Sequence, residues 1–164
     1  MQSARMKNRG KEGVTGRRGE MWVVAQAVLL LLIVLAPQSG PYWAESSLYR
    51  FFGGVLLVAG MALLAWSAAK LGHSLTPFPR PVPEGRLVTS GPYRVVRHPS
   101  YLGVLLAACG FAFATANPLR MVLTVLLFVF FDLKARREER WLQEQYPEYA
   151  AYKSRVRKLI PGLY

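Results

Sequence analysis

FFGGVLLVAGMALLAWSAA, residues Phe51 to Ala69, is a run of 19 residues without a charge. As a helix it measures about 28 Å, enough to cross a bilayer hydrocarbon core of roughly 30 Å. Met21 to Ala36 adds 16 uncharged residues, polar only at Gln26, and reaches span length if Gly19, Glu20 or the segment after Pro37 contributes. Ser100 to Asn117 makes a third apolar block and Met121 to Phe131 a fourth. With only Asn117, Pro118, Leu119 and Arg120 between them, these two read as a helical hairpin. The helical pattern of the fourth block continues past Asp132 to about Tyr146, so this helix is expected to leave the membrane unbroken. The fold class read from these blocks is all-α: a polytopic membrane protein with four transmembrane helices, at about 20–37, 50–70, 99–117 and 119–137.

Charge tests that reading independently. The 164-residue chain is 52% hydrophobic, yet it carries 21 Lys+Arg against 9 Asp+Glu, a formal net charge of +12. Six of the basic residues fall in 1–20, five in 70–97 and eight in 134–164, which leaves Arg50 and Arg120 for the two remaining loops. Four spans put the three basic segments on one face, and the positive-inside rule makes that face cytoplasmic. The expectation is a multi-pass integral membrane protein with both termini cytoplasmic, in the plasma membrane or, in a bacterium, the inner membrane. A basic stretch before an apolar run also suits a signal peptide, but Ala36-Pro37-Gln38 is a poor cleavage site and cleavage would break the charge asymmetry. Residues 1–19 read as a disordered basic tail near anionic lipid, and 20–164 as a single domain.

Composition excludes several other classes. The length allows one domain, and the apolar content excludes an intrinsically disordered chain. A nucleic-acid-binding domain of this charge would rarely be so apolar, and no nucleic-acid partner is expected. Cys109 is the single cysteine, which excludes a disulfide framework. With His73 and His98 the only histidines, no metal centre is expected.

The connection between the second and third spans has Pro77, Pro79, Pro81 and Pro83 at every second position, which forbids a helix and favours extended chain. It continues through Leu87 and Val88, a turn at Ser90-Gly91-Pro92, then Tyr93, Arg94, Arg97 and His98, with Pro99 suited to the first turn of the third helix. Cations gathered at a helix N-terminus beside a membrane make a plausible anion site; anchoring of Arg94 and Arg97 to lipid headgroups is the plainer alternative. On the fourth helix, spacing puts Glu138 on the stripe of Phe131, Lys134, Trp141 and Leu142, an expensive place for an unpaired carboxylate. A ligand's hydroxyls or ammonium would satisfy it, as would a salt bridge to Lys134 or Arg97. Glu139 falls about 100° away, beside Asp132 and Arg136, where a solvated face is the ordinary reading.

Gly91-Pro92-Tyr93-Arg94-Val95-Val96-Arg97-His98-Pro99-Ser100-Tyr101-Leu102-Gly103, followed by Glu138-Glu139-Arg140-Trp141-Leu142, resembles the isoprenylcysteine carboxyl methyltransferase family. Tyr149-Ala150-Ala151-Tyr152-Lys153-Ser154-Arg155-Val156 and Leu159-Ile160-Pro161 match the same pattern, and Leu75 to Pro81 with Leu87 to Ser90 look like a bacterial branch of it. The resemblance covers roughly 70–164. It implies a membrane methyltransferase using S-adenosylmethionine, with a cofactor region at 72–101 and 134–164. By position, Leu87, Val88, Tyr93, His98, Pro99, Ser100, Tyr101 and Glu138 would bind the cofactor, and Arg97 and Glu139 would be catalytic. Lys134 would bind substrate, standing where some eukaryotic members have an arginine; lysine keeps the charge and loses the bidentate fork. The implied partners are membrane lipid and a hydrophobic or lipidated acceptor, most simply an isoprenylcysteine-like carboxylate. Alternatives are a phospholipid amine or small thiol as acceptor, or a non-catalytic membrane protein that binds lipid or a partner. No glycine-rich strand–turn–helix signature of a soluble methyltransferase occurs.

Overall fold

The computed structural model describes residues 19–38 and 47–164. Apart from Gly19, the basic tail lies outside the described residues. Among these, the helices α1 (Glu20–Leu35), α2 (Ser47–Leu71), α3 (Pro99–Ala114), α4 (Pro118–Gln145) and α5 (Tyr149–Arg155) follow one another, and no strand forms beyond an isolated bridge between Val96 and Arg157. The expected all-helical class is observed, and α4 does run on from its apolar part through the charged segment. At 1.5 Å per residue α2 and α4 reach about 38 and 42 Å, whereas α1 and α3 reach about 24 Å. By length and composition together, one helix among the described residues is long and apolar enough to cross a membrane, Ser47–Ser74, which is α2 with the 3-10 turn that follows it.

α2 and α3 pack backbone to backbone. A Cβ built at Gly60 would lie 2.6 Å from the Gly103 carbonyl oxygen, and one at Gly103 would lie 2.8 Å from the Gly60 oxygen. Gly53 and Gly110 meet in the same reciprocal way two turns further along. The four glycines are seven residues apart on each helix, so antiparallel packing brings both pairs into register. Beside this seam, Ile33, Leu105, Ala108, Leu127 and Phe131 form the buried cluster that joins α1, α3 and α4. Val24, Leu31, Phe51, Val58, Met61, Val125 and Val129 point outward instead. An apolar surface of that extent is what a lipid-facing bundle presents.

The α3–α4 hairpin is built as its sequence suggests. Asn117 caps α4 by accepting from the Arg120 amide at 3.2 Å, and Pro118 occupies the first turn. Arg120 is buried instead of solvated. Its guanidinium donates to the carbonyls of Ile33 at 3.1 Å and Ala36 at 3.0 Å, and lies 4.3 Å from the Phe111 ring centre. Those carbonyls are orphan acceptors at the end of α1, so this cation closes a helix terminus.

Short 3-10 turns occupy Gly72–Ser74 and Gly91–Arg94. The proline-rich chain between them forms no helix, as expected, but instead of running extended it bends at 77–80 and turns at 83–84, where the Gly85 amide donates to the Val82 carbonyl at 2.9 Å. Ser74 Oγ accepts from the Arg86 amide at 3.1 Å and donates to the Arg86 carbonyl at 3.2 Å. Gln145 donates to the Val82 carbonyl at 2.9 Å and Lys134 to the Pro77 carbonyl at 3.1 Å. These bonds lay the loop across the end of α4.

Candidate functional site

A cavity of about 210 Å³ opens where the loop, the start of α3, the end of α4 and α5 converge. Of the residues expected to bind the cofactor, Leu87, Val88, Tyr93, His98, Ser100, Tyr101 and Glu138 line it. Pro99 does not; it is buried in the first turn of α3. Arg97 and Lys134 also line the cavity, whereas Glu139 does not.

His98 is the N-cap residue of α3, and its ring lies parallel to Tyr101 at 5.3 Å. Tyr101 in turn lies parallel to Phe131 of α4 at 4.5 Å. The stack aims the Tyr101 hydroxyl at Glu138, to which it donates at 2.6 Å. His98 Nδ1 is 3.8 Å from the same Glu138 oxygen. Glu138 is the one carboxylate among the described residues lining the cavity, and it keeps partial exposure there.

Glu139 takes the opposite role from its sequence reading. It is 3% exposed, and its oxygens meet Arg97 Nε at 2.9 Å, His98 Nε2 at 3.2 Å and Lys153 Nζ at 3.0 Å. Burial by itself would raise this carboxyl's pKa. The hydrogen bond and charge of His98, with Lys153 and Arg97, outweigh it and hold the group well below the usual carboxylate range. The partners come from distant segments, and no periodicity along α4 reveals them. Arg97 is equally committed, since Nη1 donates to the carbonyls of Lys153, at 3.1 Å, and Val156.

The chain after α5 completes this arrangement. The Arg97 and His98 amides donate to the carbonyls of Arg157 at 2.7 Å and Lys158 at 3.1 Å. Lys158 Nζ and the Tyr164 hydroxyl then reach Asp132 Oδ1 on α4, at 2.6 and 2.7 Å. Tyr93 is fixed from the same side, its carbonyl accepting from the Tyr152 hydroxyl at 2.6 Å. Its own phenol, buried and 3.4 Å from Ser100 Oγ, has its pKa pushed up to about 12; burial dominates, the Ser100 hydrogen bond opposes it and the Glu138 charge adds to it.

Several lining residues carried no role in the sequence reading. Gln26 of α1 reaches the cavity and accepts from Lys134 Nζ at 2.5 Å. It was visible as the one polar residue of its apolar run. Tyr146, Tyr149 and Tyr152 close the opposite side; two of them stood in the quoted C-terminal motif without an assigned task. Among the described residues no group of three or more His, Cys, Asp or Glu is placed to hold a metal ion.

Aromatic faces, apolar walls and one accessible carboxylate suit a ligand that is partly flat, partly cationic and bears hydroxyls. The phospholipid methyltransferase family model matches residues 48–149. A probable protein-S-isoprenylcysteine O-methyltransferase of Oryza sativa subsp. indica is 32% identical over 132 residues, covering 78% of this chain and 67% of the relative. Protein-S-isoprenylcysteine O-methyltransferase of Saccharomyces cerevisiae is 33% identical over 124 residues, 73% of this chain and 52% of the yeast protein. In fold, the chain is similar to the solved eukaryotic intramembrane Ras methyltransferase, isoprenylcysteine carboxyl methyltransferase, with a TM-score of 0.65 at 22% identity over 88% of this chain and 52% of that one. The chain belongs to the phospholipid methyltransferase family, and within it stands with the isoprenylcysteine O-methyltransferases as a membrane methyltransferase.

Proposed function

We propose that this chain is a multi-pass membrane enzyme that uses S-adenosylmethionine to methylate the carboxylate of a lipid-borne, isoprenylcysteine-like acceptor. The observation that carries the reading is the cavity holding Glu138, Tyr101 and His98 beside the apolar bundle. The residues present fit the cofactor. Leu87, Val88 and the tyrosine rings suit an adenine, Glu138 suits an ammonium or ribose hydroxyls, and the buried Tyr149 hydroxyl has no partner of its own.

When bound, S-adenosylmethionine supplies an electrophilic methyl group on a sulfonium. An ionised carboxylate acceptor has no proton to lose, so the protein needs no strong base; it orients the two partners and excludes water. His98 and Tyr101 hold Glu138 in place. Arg97 and Glu139 act as positioning residues here, locking the chain around 153–158 against 96–98. Lys134 spends two of its three N–H donors on Gln26 and Pro77. The third serves the acceptor, and a fixed cation there favours an anionic acceptor over an amine.

The four long helices serve as spans in this reading, with both termini cytoplasmic. α1 and α3 are short for a span, a mismatch that local thinning of the bilayer accommodates at a fraction of a kcal/mol per Å. The test is to incubate membranes containing the protein with methyl-labelled S-adenosylmethionine and a prenylcysteine acceptor. Label is expected in a base-labile ester, lost in Glu138→Gln and His98→Ala. Label in phospholipid or in a volatile thioether names a different acceptor, and no transfer at all sinks the reading.

A further inference from the structure

Tyr149 heads the fully buried side chains by volume, at 1% exposure, and its hydroxyl is the one buried side-chain polar atom among the described residues without a hydrogen-bond partner. Native structures seldom leave such a group orphaned, because its desolvation then goes uncompensated. The neighbouring groups are spoken for. Tyr152, packed edge-on to Tyr149 at 5.7 Å, gives its own hydroxyl to the Tyr93 carbonyl. Arg97, Glu139 and Lys153 bond to one another. The same bonds hold the backbone at the end of α5, with Arg97 gripping the Lys153 and Val156 carbonyls. Burial, with the nearby carboxylates adding to it, raises the phenol pKa far above its ordinary value and keeps the hydroxyl a neutral donor. The ring lines the cavity that also contains Glu138, His98 and Tyr101.

We propose that Tyr149 is a ligand-binding residue of this cavity, its hydroxyl donating a hydrogen bond to an oxygen of the bound nucleoside sulfonium. The inference rests on the cofactor reading given above. The oxygen belongs either to the ribose or to the amino-acid carboxylate, and both present the same acceptor chemistry. Preorganisation is the gain: the donor is already desolvated and held before the ligand arrives.

The test is calorimetry on the detergent-purified full chain with S-adenosylhomocysteine, beside thermal unfolding without ligand. Tyr149→Phe is expected to weaken binding about tenfold while leaving the ligand-free midpoint unchanged or raised, since the substitution removes an unsatisfied group. Tyr152→Phe, which deletes a satisfied bond, is expected to lower that midpoint. Methylthioadenosine separates the two oxygens: a loss that persists with it assigns the ribose, and a loss that vanishes assigns the carboxylate. Wild-type-like affinity in Tyr149→Phe overturns the proposal, as does a clear fall of its ligand-free midpoint, which would mean the hydroxyl bonds a structural partner such as a trapped water. Absence of binding by the unsubstituted protein removes the cofactor reading itself, and this inference with it.

Discussion

Glu138 keeps an oxygen toward the cavity, while Glu139, one residue on, gathers Arg97, His98 and Lys153. Their separation by about 100° around α4 was legible from the sequence, as was the shared face of Glu138 and Lys134, which both line the cavity. Which of them pairs with Arg97 was not, because that bond joins residues 42 positions apart. The difference has a pH consequence. A carboxyl whose pKa is lower in the folded than in the unfolded chain adds stability that is complete above the unfolded value, near 4.5, and is lost as pH falls below it. The thermal midpoint of the detergent-solubilised protein is therefore expected to hold from pH 7 to about pH 5 and then decline. Glu139→Gln should lower the neutral midpoint, by an amount equivalent to about 3 kcal/mol, because Arg97 is left buried without its counter-charge. It should also flatten the acid decline. An unchanged acid slope in the variant would show that other carboxyls carry it.

At the level of elements, apolar blocks predicted the helices well. The span expected at 50–70 is α2, Ser47–Leu71, and the helix expected to run to about Tyr146 is α4, which ends at Gln145. Blocks of apolar sequence report burial from water, and that is why they succeed here. They say nothing about which faces meet. The contact of Gly53 and Gly60 with Gly110 and Gly103 is a matter of backbone approach, invisible to any hydropathy count. Gly60→Leu is expected to cost more than about 3 kcal/mol, since α2 and α3 must part to admit the side chain. Gly54→Leu, six residues earlier on α2, has nothing within 4 Å of its Cβ and should be close to neutral. Thermal unfolding of both in one detergent checks this; equal midpoints would remove the seam from the account of packing.

For the whole molecule, the proposed topology has the charge excess sort the ends of the helices first and only then serve the site. Arg120, one of two cations that the proposed topology leaves on the far side, is buried against the end of α1, so it would add little exposed charge there. In the proposed topology the α3–α4 turn and α5 face opposite sides. Cysteines introduced singly in a Cys109→Ser background at Leu119 and Ser154, both exposed, should therefore react with an impermeant maleimide from opposite faces of sealed vesicles. Reaction of both from one face would contradict four spans. The loop's fold was less legible than the helices, because its order comes from a few side-chain bonds made by Gln145, Lys134 and Ser74.

The backbone bonds from Arg97 and His98 to Arg157 and Lys158 also set an order of events during synthesis. Residue 157 lies 12 positions beyond the end of α4 at Gln145, so it leaves the ribosome after all four long helices. Until residues 157 and 158 arrive, the Arg97 and His98 amides lack their acceptors, and until Lys153 does, the Glu139 cluster is incomplete. A nascent chain can thus have all four long helices and still have no finished cavity. In the proposed function, truncated products of stalled translation would therefore be inert toward the cofactor and would not consume it.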